Sequence, residues 1–240
     1  MMPFSPKQRT PSSTRLGTLS RIPLGGMDFI PDLSGALFAP DFKALLVADL
    51  HLEKGSSLAR RGVRLPPYDT RDSLRQLQVA IAATSPAQLI FLGDSFHDGE
   101  ARSRIDDSDL QTLRAITNDY QTIWITGNHD PSPPKDIGGA VASEVELGPV
   151  TLRHEPSRHS AAAFEIAGHL HPAASIAQRG RRIRCRCFIG DDRRIIMPAF
   201  GSYTGALSIT SEAFDGLFAE AHVWMLGNSA IHRFPATKVR

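Results

Sequence analysis

The sequence predicts an α/β fold in which two β-sheets pack together with helices outside them. Three observations predict it. Five short runs of β-forming residues each end in a polar cluster. Between them lie stretches that space their apolar residues at helical intervals, and beyond residue 172 the pattern turns to strand after strand. Strand, helix and strand in alternation indicate βαβ units, and the later run of strands indicates a mostly antiparallel part.

The elements follow in order. Residues 1–26, rich in Pro, Ser and Thr with four cationic residues and no acidic one, are expected to be a flexible tail. Residues 27–240 are expected to form the domain, and 41% apolar content can supply it with a sizeable core. The five strand candidates are "KALLVADLH", ending at Asp49 and His51; "AQLIFLGD", ending at Asp94; "QTIWITGNHD", ending at Asn128 to Asp130; "VTLRHE", ending at His154; and "AFEIAGHLH", ending at His169 and His171. Continuous apolar runs of this length suit strands buried on both faces.

A helix is predicted from Asp69 to Ala83, with Leu74, Leu77 and Ile81 on one face behind an Asp69 or Thr70 cap. A second runs from Asp106 to Tyr120 with Leu110, Leu113 and Ile116. After residue 172 come "RRIRCRCFI", "RRIIMPAF" and "GALSIT", a short helix around Glu212 to Phe218, and the strands "AHVWMLG" and "AIHRFP".

Composition excludes little and favours one setting. No apolar run has the length of a membrane span, and the N-terminus lacks a signal-peptide core. Cys185 and Cys187 lie two apart and so point to one side of a strand, where they cannot readily bond to each other. With no further cysteine they make no zinc site, and a reduced, cytoplasmic protein with structural cysteines is expected. A net charge of +2 gives no general basic field. Residues 179–194 nevertheless hold seven arginines against two aspartates, and Arg182, Arg184 and Arg186 alternate along one strand face as candidates for phosphate contact.

The polar clusters carry the chemistry. Asp49, His51, Asp94, Asn128, His154, His169 and His171 offer carboxylate, imidazole and amide ligands without a thiolate, a set that suits Mn²⁺, Fe or Zn²⁺ at a catalytic site. Seven ligands exceed the need of one ion. Two ions sharing a bridging carboxylate use them economically, and paired metals are best suited to cleaving phosphate esters. In open α/β sheets ligands collect beyond the carboxyl ends of the strands, so the five clusters are expected to share one site.

The order D-x-H, GD, GNHD, H, GH-x-H resembles that of the calcineurin-like metallophosphoesterase superfamily, over about residues 44–172. "VADLHLEKGSSLARRGVRLPPYDT", "LGDSFHD" and "MPAFGSYTGALS" further resemble its bacterial branch of ligase-associated DNA-damage-response phosphodiesterases or endonucleases, extending the likeness to residues 35–210. The resemblance implies a four-layer αββα sandwich of two mixed sheets flanked by helices. It implies two divalent ions, Mn²⁺ foremost, one held by Asp49, His51, Asp94 and His171 and the other by Asp94, Asn128, His154 and His169.

By the same resemblance His129 faces the scissile group and protonates the leaving oxygen, while Asp130 is a structural partner at the turn. His97, in "GDSFH", stands where related phosphatases place an acidic residue or Asn, and is similar to the "GDxFH" of repair nucleases; it leaves open whether it or Asp98 orients His129. The implied activity is hydrolysis of phosphodiester bonds, with DNA as substrate, in repair alongside an ATP-dependent DNA ligase, a helicase and an exonuclease. Hydrolysis of a small or lipid-linked nucleotide is the alternative, and a non-catalytic scaffold is disfavoured because every ligand position is filled.

Overall fold

The computed structural model describes residues 20–63, 65–158, 162–178 and 180–240. One mixed sheet runs in chain order through β1 (Ile22–Leu24), β2 (Met27–Pro31), β3 (Leu37–Ala39), β4 (Ala44–Val47), β5 (Gln88–Leu92), β6 (Gln121–Ile125) and β7 (Ala140–Ala142). Strands β1 to β4 pair antiparallel, and β4 to β7 pair parallel. Four helices belong to this half: α1 (Lys54–Arg60), α2 (Asp69–Thr84), α3 (Ala101–Arg104) and α4 (Asp107–Asp119).

The second mixed sheet has the order β14 (Leu207–Ser208), β11 (Pro172–Gln178), β12 (Arg181–Gly190), β13 (Arg194–Ile196), β10 (Phe164–Ala167), β9 (Val150–Arg153) and β8 (Glu144–Leu147). Two further strands, β15 (His222–Leu226) and β16 (Ile231–Pro235), join it through β12. Its centre is parallel, since β10 pairs parallel with both β9 and β13.

The period-two alternation of the apolar strands feeds two cores at once. Leu46, Ile90, Leu92 and Ile125 of the first sheet meet Leu152, Ile166, Phe188 and Ile195 of the second. Their neighbours Leu45, Val47, Leu89 and Phe91 face the other way, onto Leu74, Leu77 and Ile81 of α2 and Leu110, Leu113 and Ile116 of α4. Leu77 and Leu113 are fully buried, each worth about 1.5–3 kcal/mol of burial. Trp124 stacks on Phe91 with ring centroids 4.2 Å apart, and its indole N–H donates to the Gly138 carbonyl at 2.9 Å.

The outer face of the second sheet is covered differently. Cys187, Ile189, Ile196, Val223 and Met225 pack there under Phe214 and Leu217, which come from the segment between β14 and β15. The helix expected over 212–218 is a single 3-10 turn, Glu212–Phe214, because Asp215 and Gly216, with φ 71°, end it at once.

Other expectations are corrected in detail. Of the tail expected over 1–26, residues 1–19 lie outside the described residues, while Ile22 and Leu24 are buried in β1, paired with β2. Neither Asp69 nor Thr70 caps α2: Tyr68 is the cap without a side-chain bond, and both candidates turn to the start of α1. Asp69 accepts from the Gly55 N–H at 2.8 Å, and Thr70 donates to Glu53 at 2.7 Å. Asp106 does cap α4, accepting from the Ser108 N–H. No described helix is long and apolar enough to cross a membrane.

Candidate metal centre

The five sequence clusters follow β4, β5, β6, β9 and β10, at their carboxyl ends. The first three strands are parallel neighbours in one sheet and the last two in the other. The two sheets present these ends to a common place and are stitched together there. The His169 N–H donates to Asp49 Oδ2 at 2.9 Å, His154 Nδ1 to the Leu92 carbonyl at 3.0 Å, and the Phe200 N–H to the Ala48 carbonyl at 2.9 Å.

Two groups of potential ligand atoms result, Asp49, His51 and His171 in one and Asp94, His154 and His169 in the other, each with its atoms within 4.8 Å of one another. Asn128 joins the second group through Oδ1, 2.9 Å from His154 Nε2. Asp94 stands between them. Its Oδ1 lies 3.4 Å from His154 Nε2 and its Oδ2 3.9 Å from His51 Nε2.

The backbone makes this convergence with unusual torsions. Asp49 (φ 54°), His51 (φ 44°), Asp94 (φ 47°), His169 (φ 66°) and His171 (φ 46°) are all left-handed. Such residues cost on the order of 1–3 kcal/mol each and are retained where the surroundings enforce them. They also separate His169 from His171, which on a regular strand would face the same side.

Glycines let the loops close. A Cβ on Gly127 would stand 2.2 Å from the Asp94 backbone nitrogen, and one on Gly168 2.6 Å from Asp49 Oδ2. Asp130 accepts N–H bonds from Asp94, Ser95, Phe96 and Gly127, which makes it the turn partner that its place in the sequence suggested.

The donor set fits divalent cations. A carbonyl can only accept, so Nδ1 of His154 donates to Leu92 and Nδ1 of His171 to Gly205 (3.1 Å), which leaves each Nε2 as the nitrogen that can offer a lone pair to a cation in place of a proton. His171 Nε2 then faces His51 Nε2 at 3.3 Å, and His154 Nε2 faces His169 Nδ1 at 3.2 Å. Lone pairs so opposed repel unless a cation or proton lies between them. Asp49 Oδ1, wholly buried, makes no hydrogen bond.

Carboxylates set the field at one group and burial sets it at the other. Burial lowers the His154 pKa, but Asp94 and Asp49 outweigh it and hold the imidazole at about 9. Burial and the charge of His171 push His51 down to about 2. Burial raises Asp94, yet its bonds and charge contacts with histidines hold it at about 2.

His129 is exposed at the edge of the groups, its ring centroid 5.2 Å from that of His51. Its N–H donates to Asp94 Oδ1 at 2.8 Å, and its Nδ1 donates to the backbone carbonyl of His97 at 2.8 Å. Neither candidate side chain orients it. The His97 ring stacks on it, centroids 5.2 Å apart and 21° from parallel, while Asp98 is taken by Arg104 at 2.9 Å.

The structure adds a residue that strand-end reasoning passed over. Lys54 begins α1 half-buried, its ammonium lowered by burial while the carboxylates of Asp49 and Asp94 act the other way. The signal was a lysine three residues after His51. Of the alternating arginines, Arg186 is turned inward to the carbonyls of Ala199 (2.6 Å), Phe200 and Ser34, so it is a structural tie; Arg182 and Arg184 are exposed.

Comparison with known proteins agrees with the geometry. Residues 42–174 match the family model for calcineurin-like phosphoesterases. Among solved structures, the chain is similar to the Pseudomonas putida nuclease MPE, with 29% identity and a TM-score of 0.71 over 89% of this chain and 100% of that one. It also matches the phosphoesterase Yfce of E. coli at 12% identity and a TM-score of 0.43, over 80% of this chain and 98% of that one, a likeness too loose to build on. A search of curated protein sequences returned no match.

Proposed function

The chain belongs to the calcineurin-like phosphoesterase family and is a hydrolase, and from that premise we propose that it is a two-metal phosphodiesterase that cleaves DNA. One observation carries the reading: Asp94 turns one carboxylate oxygen to each of two ligand groups, an arrangement in which one carboxylate can serve both. Asp49, His51, Asp94 and His171 would hold one ion, and Asp94, Asn128, His154 and His169 the other. When bound, two divalent cations neutralise the phosphoryl oxygens and acidify the attacking water. Mn²⁺ suits the oxygen and imidazole ligands.

The residues divide the remaining work. The carbonyl of His97 fixes the Nδ1–H tautomer of His129 and aims Nε2 outward, where the protonated ring can hand a proton to the leaving oxygen. The ring of His97, held down to about 4 by burial and the nearby charges of Lys54 and His129, is neutral at physiological pH and backs His129 as a flat support. Lys54 adds positive charge at the mouth of the site, where a phosphate approaches.

Support for a phosphodiester over a monoester comes from the "GDSFH" stretch and from the similarity to a protein described as a nuclease. Work in DNA repair beside an ATP-dependent ligase, a helicase and an exonuclease follows from the branch that the motifs resemble. The setting is cytoplasmic, in keeping with Cys185 and Cys187 as reduced, structural cysteines on β12.

Substitution tests the reading. With the fold verified, Asp94→Asn and His129→Ala should each abolish hydrolysis of a chromogenic phosphodiester and of a DNA oligonucleotide in Mn²⁺. Near wild-type turnover by both variants, with metal content measured, would sink it.

A further inference from the structure

We propose that Tyr203 forms a stacking subsite for the nucleobase next to the scissile phosphate, on the side of the centre formed by Asp49, His51 and His171. The inference rests on the nuclease reading and deepens it. Its first support is place. The loop that carries Tyr203 is fastened to the site at both ends: the Gly201 N–H donates to the Asp49 carbonyl at 3.2 Å, and the Gly205 carbonyl accepts from His171 Nδ1 at 3.1 Å. Gly201 lies so close that a Cβ there would stand 2.0 Å from the Leu50 carbonyl oxygen. Tyr203 is two residues from each anchor, so its Cα is within about 7 Å of both.

The second support is conformation. Tyr203 has φ 62°, a left-handed torsion that a bulky side chain adopts rarely. Glycine would relieve it, yet the sequence places an aromatic ring there. A strained residue beside an active site points to a use for its side chain.

The third support is how the ring is held. It is 39% exposed, and its hydroxyl donates to the Pro66 carbonyl at 3.0 Å, in the segment between α1 and α2. The ring is thus tied at its far end while part of its surface stays open, and a platform fixed in advance loses little freedom when a ligand lands on it. Arg184, exposed, donates to the Ala206 carbonyl of the same loop at 2.6 Å and sets a guanidinium beside it. An aromatic face and a cation flanking a phosphate-cleaving centre match a nucleotide's base and backbone.

Kinetics on two substrates, supported by one binding measurement, decide the matter. A DNA oligonucleotide is compared with a counterpart of equal length built from abasic residues, and binding is followed by the fluorescence of 2-aminopurine placed in the first. Stacking of this kind changes affinity by roughly five- to a hundredfold. The wild type should therefore show a lower KM for the base-bearing strand and quench 2-aminopurine. Tyr203→Ala and Tyr203→Gly should raise that KM about tenfold with kcat little changed, leave the abasic strand unaffected and lose the quenching. Tyr203→Phe, which keeps the ring and loses only its tie to Pro66, should retain the quenching with a KM between those of the wild type and Tyr203→Ala. The glycine variant also relieves the backbone, which separates loss of the ring from misfolding.

A wild type that treats both strands alike, or a Tyr203→Ala variant impaired equally on both, would overturn the subsite and leave the nuclease reading intact. Hydrolysis of a small chromogenic diester with no cleavage of either strand would overturn the nuclease reading and the subsite with it.

Discussion

At the scale of single residues, the centre depends on atoms that no motif names. His129 is positioned by the backbone carbonyl of His97, which any residue at that position would supply. The His97 side chain contributes only its stacked ring, an aromatic contact worth about 0.5–1.5 kcal/mol. His97→Ala is therefore expected to lower kcat by at most about tenfold, whereas His129→Ala, which on the proposed mechanism removes the general acid, is expected to lower it by roughly 10²–10⁴-fold. Single-turnover rates on a chromogenic diester check this. If His97→Ala proves as inactive as His129→Ala, the His97 ring itself takes part in proton transfer.

At the scale of elements, short segments after β4 and β5 brace the site. The helix α1 begins three residues after His51 and is held at its start by Asp69 and Thr70 of α2, and its first residue, Lys54, feels the carboxylates of Asp49 and Asp94. Asp98, after β5, is tied to Arg104 at the end of α3. Burial raises the Asp98 pKa, but hydrogen bonds from Arg104 and Ser57 and the Arg104 charge outweigh it and hold the carboxyl at about 2. Because this folded value lies below the unfolded one of about 3.9, the pair's contribution is complete above pH ~4 and is lost as pH falls from ~4 to ~2. Denaturant unfolding of wild type and Asp98→Ala should thus differ at pH 5 and converge near pH 2. A difference constant across that range would show that the carboxylate charge is not what matters. With the side chain 35% exposed, solvent screening keeps the effect small.

At the scale of the whole molecule, the metal centre is a joint between two sheets. The candidate ligands come from the carboxyl ends of β4, β5 and β6 on one side and β9 and β10 on the other, and opposed imidazole nitrogens and buried carboxylates meet where the sheets touch. On the two-metal proposal, cations held there would tie the two halves together and favour the folded chain. At a hundredfold excess over Kd such binding stabilises by about 2.7 kcal/mol. Chelation should then lower Tm by roughly 5–10 °C for a chain of this size, and Mn²⁺ should restore it. An unchanged Tm after verified metal removal would mean that the sheets are held without the ions.

Much of this was legible in the chain itself. The apolar runs determined β4, β5, β6, β9 and β10, and the helical spacing determined α2 and α4, because burial on both faces or on one stripe leaves a mark at periods of two and 3.6 residues. The polar clusters likewise declared the candidate ligands that the fold brings together, since chemistry requires particular side chains whatever surrounds them. Only the tertiary structure decided how those ligands are shared. Which group His169 and His171 each join depends on left-handed torsions enforced by packing against Asp49 and Gly205, partners 120 and 34 residues away. The same holds for the carbonyl that orients His129, for the inward turn of Arg186 and for the left-handed backbone of Tyr203. Each is fixed by contacts between segments distant in sequence, and a local pattern carries no record of such contacts.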